Sequence, residues 1–157
     1  MKIQNVVIRP FDAATDTEIL SGIWFDASLL AHGFIGKQRL AEQRQLIKTQ
    51  YLPKAETWVA CIKGEPVGFI SLLDRFIGGI FVAPRQQGQG IGRKLISHAM
   101  GLKDALSLEV YTRNEQAARF YAALGFQEVS RRPVDDHGLP FENARLHLNG
   151  QSNFRKD

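Results

Sequence analysis

Residues Ile80 to Leu95 run from an apolar stretch, Ile80-Phe81-Val82, through a turn with three glycines in five positions, Gly88-Gln89-Gly90-Ile91-Gly92, into a segment with helical spacing of apolar residues. A strand that leads through such a turn into a helix requires an α/β arrangement in which the helix covers the sheet. Glycines let the backbone bend until several N–H groups point into one concavity. The new helix adds its unpaired N-terminal donors and the positive end of its dipole. A phosphate or pyrophosphate is expected there.

At 157 residues the chain suits one domain, burying roughly two-thirds of its unfolded surface. We expect that domain to span 1–149, with 150–157 as a frayed tail. No apolar run approaches the ~18 residues of a membrane span, and Met1 to Asn5 lacks a signal-peptide layout. A cytoplasmic protein without membrane contact is expected. Cys61 is the one cysteine and lies in a strand-like run, Thr57 to Ile62, so no internal disulfide forms and core packing is expected. The formal charge of +4 would attract an anionic ligand, but the basic residues form no block, so nucleic-acid binding is not indicated. Four histidines without paired spacing give no metal site.

The first strand, Val6-Val7-Ile8, should end at Pro10. Asp12 or Thr15 would then cap a helix that packs Ile19, Leu20, Ile23, Trp24 and Ala27 on the sheet. After a turn between His32 and Gly36, a polar helix from about Gln38 to Tyr51 carries only a thin apolar stripe, Leu40, Ile47 and Tyr51. Thr57 to Ile62 and Val67 to Leu72 flank Gly64-Glu65 as a hairpin. The next strand, Phe76 to Val82, contains Gly78-Gly79, which permits a bulge or close approach by another group. Ile91, Leu95, Ile96, Ala99 and Leu102 then mark a helix, Leu106 to Tyr111 a strand, and Asn114 the start of another helix. Phe126 to Ser130 and Ala144 to Leu148 complete the strands, joined through Asp135-Asp136-His137-Gly138.

The glycine turn is not a P-loop, because no Gly-Lys-Ser/Thr follows at the required spacing. Glu109, on the next strand, stands about where a ribose-binding acid would in a dinucleotide fold. However, Gly88-x-Gly90-x-Gly92 lacks the G-x-G-x-x-G interval. Glycines alone leave open a flexible turn without a ligand.

A second motif follows one helix and one strand later: Asn114-Glu115-Gln116-Ala117-Ala118-Arg119-Phe120-Tyr121-Ala122-Ala123-Leu124-Gly125-Phe126. It matches N-x-x-A-x-x-F-Y-x-x-x-G-F, and Gln87 to Gly92 matches Q/R-x-x-G-x-G/A. Together, over residues 80 to 126, they resemble the acetyl-CoA-binding half of the GNAT N-acetyltransferase superfamily. Trp24, Ala31 to Ile35, Trp58-Val59-Ala60 and Val67-Gly68-Phe69 are similar to small bacterial GNAT proteins that include protein-lysine acetyltransferases. The resemblance implies a mixed, mostly antiparallel twisted sheet of about seven strands flanked by about four helices. Its strands 4 and 5 would splay apart, and these are Phe76 to Val82 and Leu106 to Tyr111.

The resemblance also implies acetyl-CoA as cosubstrate and a primary amine as acceptor, either a protein lysine or N-terminus or a small amine. Backbone around Gln87, Gly88, Gln89, Gly90, Ile91, Gly92, Arg93 and Lys94 would hold the pyrophosphate, and the main chain at Phe81 and Val82 the pantetheine arm. Asn114 and Ala117 would contact the cofactor, Asn114 serving also as N-cap. The Tyr121 hydroxyl, which a bland reading would bury in the core, would stand near the thioester sulfur. A phenol near pKa 10 gives its proton to a thiolate near 8.5 only at a cost of about 2 kcal/mol. Hydrogen bonding to the developing thiolate is thus as plausible a role as full transfer. Candidate bases are Glu109, Asp74 and His32. Phe76 stands where the resemblance puts a residue lining the acceptor channel, and an aromatic there shapes the slot instead of accepting a proton. A noncatalytic acyl-CoA-binding sensor is the alternative. Neither the acceptor nor the choice between monomer and homodimer is legible.

Overall fold

The computed structural model describes residues 5–150. The strands are β1 (Val6–Pro10), β2 (Glu56–Ile62), β3 (Glu65–Leu73), β4 (Phe76–Val82), β5 (Ala105–Tyr111), β6 (Gln127–Arg132) and β7 (Asn143–Asn149). The helices are α1 (Ala13–Ala31), α2 (Lys37–Leu46), α3 (Ile91–Lys103) and α4 (Glu115–Ala123). The seven strands form one sheet in the order β1-β2-β3-β4-β5-β7-β6. All neighbours are antiparallel except β4 and β5, which run parallel.

Alternating side chains divide the core between the two faces of the sheet. On β2, Val59 and Cys61 join Leu20, Ile23, Trp24, Leu40 and Leu52 from the α1 and α2 side. Ala60 faces the other way, with Ile91, Leu95, Ile96, Ala99 and Leu124 of the α3 and α4 side. β5 follows the same rule: Leu106, Leu108 and Val110 enter the second cluster, so Glu109 and Tyr111 point toward α1.

Asp12 caps α1, its side chain accepting from the Ala14 N–H at 3.0 Å. β1 runs through Pro10, the residue expected to end it. It is an edge strand, where a residue without N–H is tolerated. A half-buried ion pair not foreseen from sequence ties this corner together: Arg9 donates to the buried Asp16 through both terminal nitrogens, at 2.7 and 2.9 Å. The guanidinium holds the Asp16 carboxyl below the usual carboxylate range.

Three expectations are corrected. The second helix is not continuous to Tyr51: it ends at Leu46, and Ile47–Tyr51 form a π-turn closed by the Leu52 N–H on the Ile47 carbonyl at 2.9 Å. The wider turn shifts the helical phase, so Leu52 enters the core while Ile47 and Tyr51 face a cleft. Ile19 and Leu102, assigned to packed faces, are both 47% exposed because each lies at the rim of its stripe. The sixth strand covers Gln127–Arg132, not Phe126 to Ser130, since the Phe126 N–H is still bound to the Tyr121 carbonyl at 3.1 Å, closing α4. The Gly150 N–H is bound to the Asp104 carbonyl at 2.8 Å, and the rest of the expected tail lies outside the described residues. Among those described, no helix is long and apolar enough to cross a membrane.

Candidate active site

β4 and β5 pair only through Phe76 with Ser107 and Ile77 with Leu108. Immediately above, the β3–β4 register slips: Ser71 faces Gly79 and Leu72 faces Ile77, leaving Gly78 as the extra residue of a bulge. The bulge bends β4 away from β5. A cleft of about 590 Å³ opens between them, walled by α1, the π-turn, α4 and the β6–β7 connection. The β4 edge beyond Ile77 has no strand partner on the β5 side, so its polar groups are open to an extended ligand.

The far end of β4 leads through a short 3-10 turn, Pro84–Gln86, into the glycine segment. The Gln87 side-chain amide folds back and donates to the Val82 carbonyl at 3.1 Å, tying the turn to the strand. Gly88 and Gly90 have φ of +80° and +83°, the left-handed region that side chains resist. Among the described residues, no backbone carbonyl accepts from the N–H groups of Gly88 to Gly92, and the Lys94 N–H bonds to the Gly90 carbonyl at 3.1 Å. Gly92 lets α3 approach α4, for a Cβ there would come within 3.2 Å of the Phe120 ring. Arg93 and Lys94 follow in the first turn of α3, while the Ile91 side chain is core.

Asn114 opens α4 by accepting the Ala117 N–H on its Oδ1 at 3.2 Å. That fixes the amide orientation, so Nδ2 donates to His32 Nε2, also at 3.2 Å. The imidazole must therefore be neutral with its proton on Nδ1. Burial agrees, bringing the His32 pKa down to about 4. His32 thus joins the end of α1 to the start of α4 and is a poor base. About two turns beyond that cap, Tyr121 lines the cleft between the rings of Phe120 and Phe126, with centroids 5.2 and 5.5 Å away. Burial pushes its phenol above the ordinary value.

The remaining wall is charged. Glu109 accepts from Arg132 at 2.8 Å, the same Arg132 nitrogen reaches Asp136 at 2.8 Å, and Arg145 stands 3.9 Å from Glu109. Asp135, within the expected turn, is buried and accepts from the Tyr111 hydroxyl at 2.7 Å and from the His137 and Leu139 N–H groups at 2.9 Å. It is therefore a structural group and not a solvated turn residue. Phe76 lines the cleft, with the Arg145 guanidinium 5.1 Å from its ring centroid. Asp74 sits in the β3–β4 turn at φ +56°, outside the lining residues. The structure thus brings together Phe76, Phe81, Val82, Gln87, Glu109, Asn114, Ala117, Tyr121 and His32 around one cleft, and leaves Asp74 and the expected diphosphate segment 88–94 outside its lining.

Residues 53–128 match the family model of the acetyltransferase (GNAT) domain. The peptidyl-lysine N-acetyltransferase YjaB of Salmonella typhimurium strain LT2 is 38% identical over 130 residues, covering 82% of this chain and 89% of that protein. The chain belongs to the GNAT acetyltransferase family. The solution structure of apo-form YjaB from Escherichia coli superposes with a TM-score of 0.83 at 33% identity, covering 91% of this chain and 97% of that one. The paia N-acetyltransferase of Thermoplasma acidophilum, solved in complex with coenzyme A, shares the fold at a TM-score of 0.77 and 14% identity, covering 92% and 99%. As a GNAT member the chain is an N-acetyltransferase, and its acyl donor is acetyl-CoA. The GNAT sheet, with its parallel β4–β5 pair, is the one expected from the two motifs.

Two cleft residues escaped the sequence reading. Arg132 follows Arg131 in a polar strand with nothing to mark it. Tyr51 looked like the end of an amphipathic stripe, and its one signal was Gly78-Gly79, the gap into which it fits.

Proposed function

We propose that this enzyme acetylates lysine side chains of proteins by direct attack of the amine on the thioester, with Tyr121 assisting the departing thiolate. Tyr121 carries the reading: its phenol lines the cleft where β4 and β5 part, about two helical turns from the Asn114 cap. The residues suit acetyl-CoA. Its diphosphate meets the open N–H groups of Gly88 to Gly92 with Arg93 and Lys94 beside them, and its arm meets the β4 edge at Phe81 and Val82, with Gln87, Asn114 and Ala117 alongside. When bound, it supplies an activated acetyl group.

Tyr121 acts as a neutral hydrogen-bond donor toward the charge developing on sulfur. Its raised pKa makes the phenol a weaker acid than in water, so stabilisation without complete proton transfer is favoured. No cysteine lines the cleft among the described residues: Cys61 is buried on the α1 side of β2. Of the candidate bases, His32 has its Nε2 lone pair taken by Asn114 and its basicity lowered by burial, and Asp74 is remote. Glu109 faces the cleft but is bound to Arg132. The amine therefore reacts from its free-base fraction, and its proton leaves to solvent.

Support for lysine comes from the lining charge. Three carboxylates, Glu109, Asp135 and Asp136, face two guanidiniums, Arg132 and Arg145, and the remaining negative charge attracts a cationic side chain. Relatives named peptidyl-lysine N-acetyltransferases point the same way. Thiol release from acetyl-CoA over a panel of lysine peptides, N-terminal peptides and small amines tests the reading. Tyr121→Phe should lower kcat about 10- to 100-fold with acetyl-CoA affinity unchanged. Activity within twofold of wild type removes Tyr121 from the mechanism, and tight acetyl-CoA binding without turnover on any amine makes the protein a sensor.

A further inference from the structure

Tyr51 ends the π-turn, and its hydroxyl oxygen is buried in the cleft with no hydrogen-bond partner among the described residues. The ring is seated against β4 at the bulge: a Cβ on residue 78 would overlap the hydroxyl, so only glycine admits it. Packing alone does not explain the oxygen. Phenylalanine would fill the same space without stranding a polar atom, and a buried hydroxyl left unpaired is costly. The π-turn is itself a rare conformation, and here it rotates Tyr51 inward.

Position identifies the partner. Gly78 lies directly above the Phe76 and Ile77 pairs that close the cleft. Val82, beside the glycine turn, is about 13 Å further along the strand at ~3.3 Å per residue. The diphosphate end of a cofactor laid along β4 is at Val82, so residue 78 borders the reacting end. Asp136 is close enough for its charge, after burial itself, to help push the Tyr51 phenol up to about 12. The hydroxyl thus stays neutral, offers lone pairs, and stands in a wall with surplus negative charge. That environment suits an N–H donor.

We propose that the Tyr51 hydroxyl is the docking group for the acceptor amine, accepting one N–H and so holding the nitrogen at the reacting end of the cleft. This rests on the reading of the cleft as the channel of an amine acetyltransferase. No bond is made or broken at Tyr51: the N–C bond forms and the C–S bond breaks, the thiolate is stabilised at Tyr121, and the amine proton goes to solvent. Tyr51 therefore governs acceptor binding and leaves donor binding untouched.

The test is steady-state acetylation of a peptide with one internal lysine by wild type and Tyr51→Phe, with calorimetric acetyl-CoA affinity and thermal unfolding measured in parallel. The variant should raise the peptide KM roughly three- to tenfold, the loss of one hydrogen bond. The kcat should hold within twofold, acetyl-CoA affinity should not change, and Tm should be equal or higher because the stranded oxygen is gone. An active wild type with the same peptide KM in Tyr51→Phe overturns the assignment of Tyr51 alone, as does a variant whose defect lies in acetyl-CoA affinity. A wild type that binds acetyl-CoA but acetylates no amine overturns the channel and Tyr51 with it.

Discussion

His32 makes folding stability depend on pH in a way that can be isolated. Its Nε2 accepts from Asn114 in the folded protein, and burial brings its pKa from 6.5 to about 4. The unfolded chain takes up a proton below about pH 6.5 that the folded chain refuses until about pH 4. Stability is therefore unaffected above this window, falls as pH drops through it, and reaches its full loss below it. The full loss is about 3 kcal/mol, of which about 2 kcal/mol has developed by pH 5. His32→Gln is the comparator, since the glutamine oxygen can accept from Asn114 and does not titrate. Urea unfolding of both proteins at pH 7.5 and pH 5 gives a double difference that cancels the carboxylates, among them Asp16, that also lose stability on acidification. Wild type should lose about 2 kcal/mol more than the variant over that interval. A double difference under about 0.5 kcal/mol would show that His32 is not held neutral, and the Asn114 orientation argued from it would fail as well.

Two further outcomes follow from the cradle and the free-base mechanism. Gly90→Ala forces a side chain into φ +83°, so unfolding should show a loss of about 1 kcal/mol, and calorimetry an acetyl-CoA affinity weaker by about fivefold or more. Unchanged values for both would mean that the turn is not the diphosphate seat. With a peptide lysine, kcat/KM should climb about tenfold per pH unit between pH 7 and 9, tracking an amine near pKa 10.4. A plateau beginning near pH 7 would reveal a dedicated base, with Glu109 the first to substitute.

The glycine turn and the capped helix were legible because their conformations reside in the backbone. Gly88, Gly90 and Gly92 are needed where N–H groups must converge and where α3 must approach Phe120. Asn114 and Tyr121 stand at fixed helical offsets from one another. The β4–β5 splay came from the resemblance, and the structure supplies its local cause, the bulge at Gly78. Candidate bases fared worse, since a sequence names titratable residues without their neighbours. Glu109 and His32 reach the cleft but are bound to Arg132 and Asn114, 23 and 82 positions away along the chain.

Local chemistry written in the order of residues determined the strand-turn-helix cradle, the alternating faces of the sheet and the capped helix that carries Tyr121. These depend on periodicities and torsional preferences that act over a few neighbours. Tertiary structure alone decided that Tyr51 would be turned onto Gly78, that Asp135 would be consumed by Tyr111 and two backbone amides, and that Arg132 would bridge two carboxylates. Those outcomes turn on burial and on partners far apart in the chain, and neither exists until the sheet has closed around its cleft.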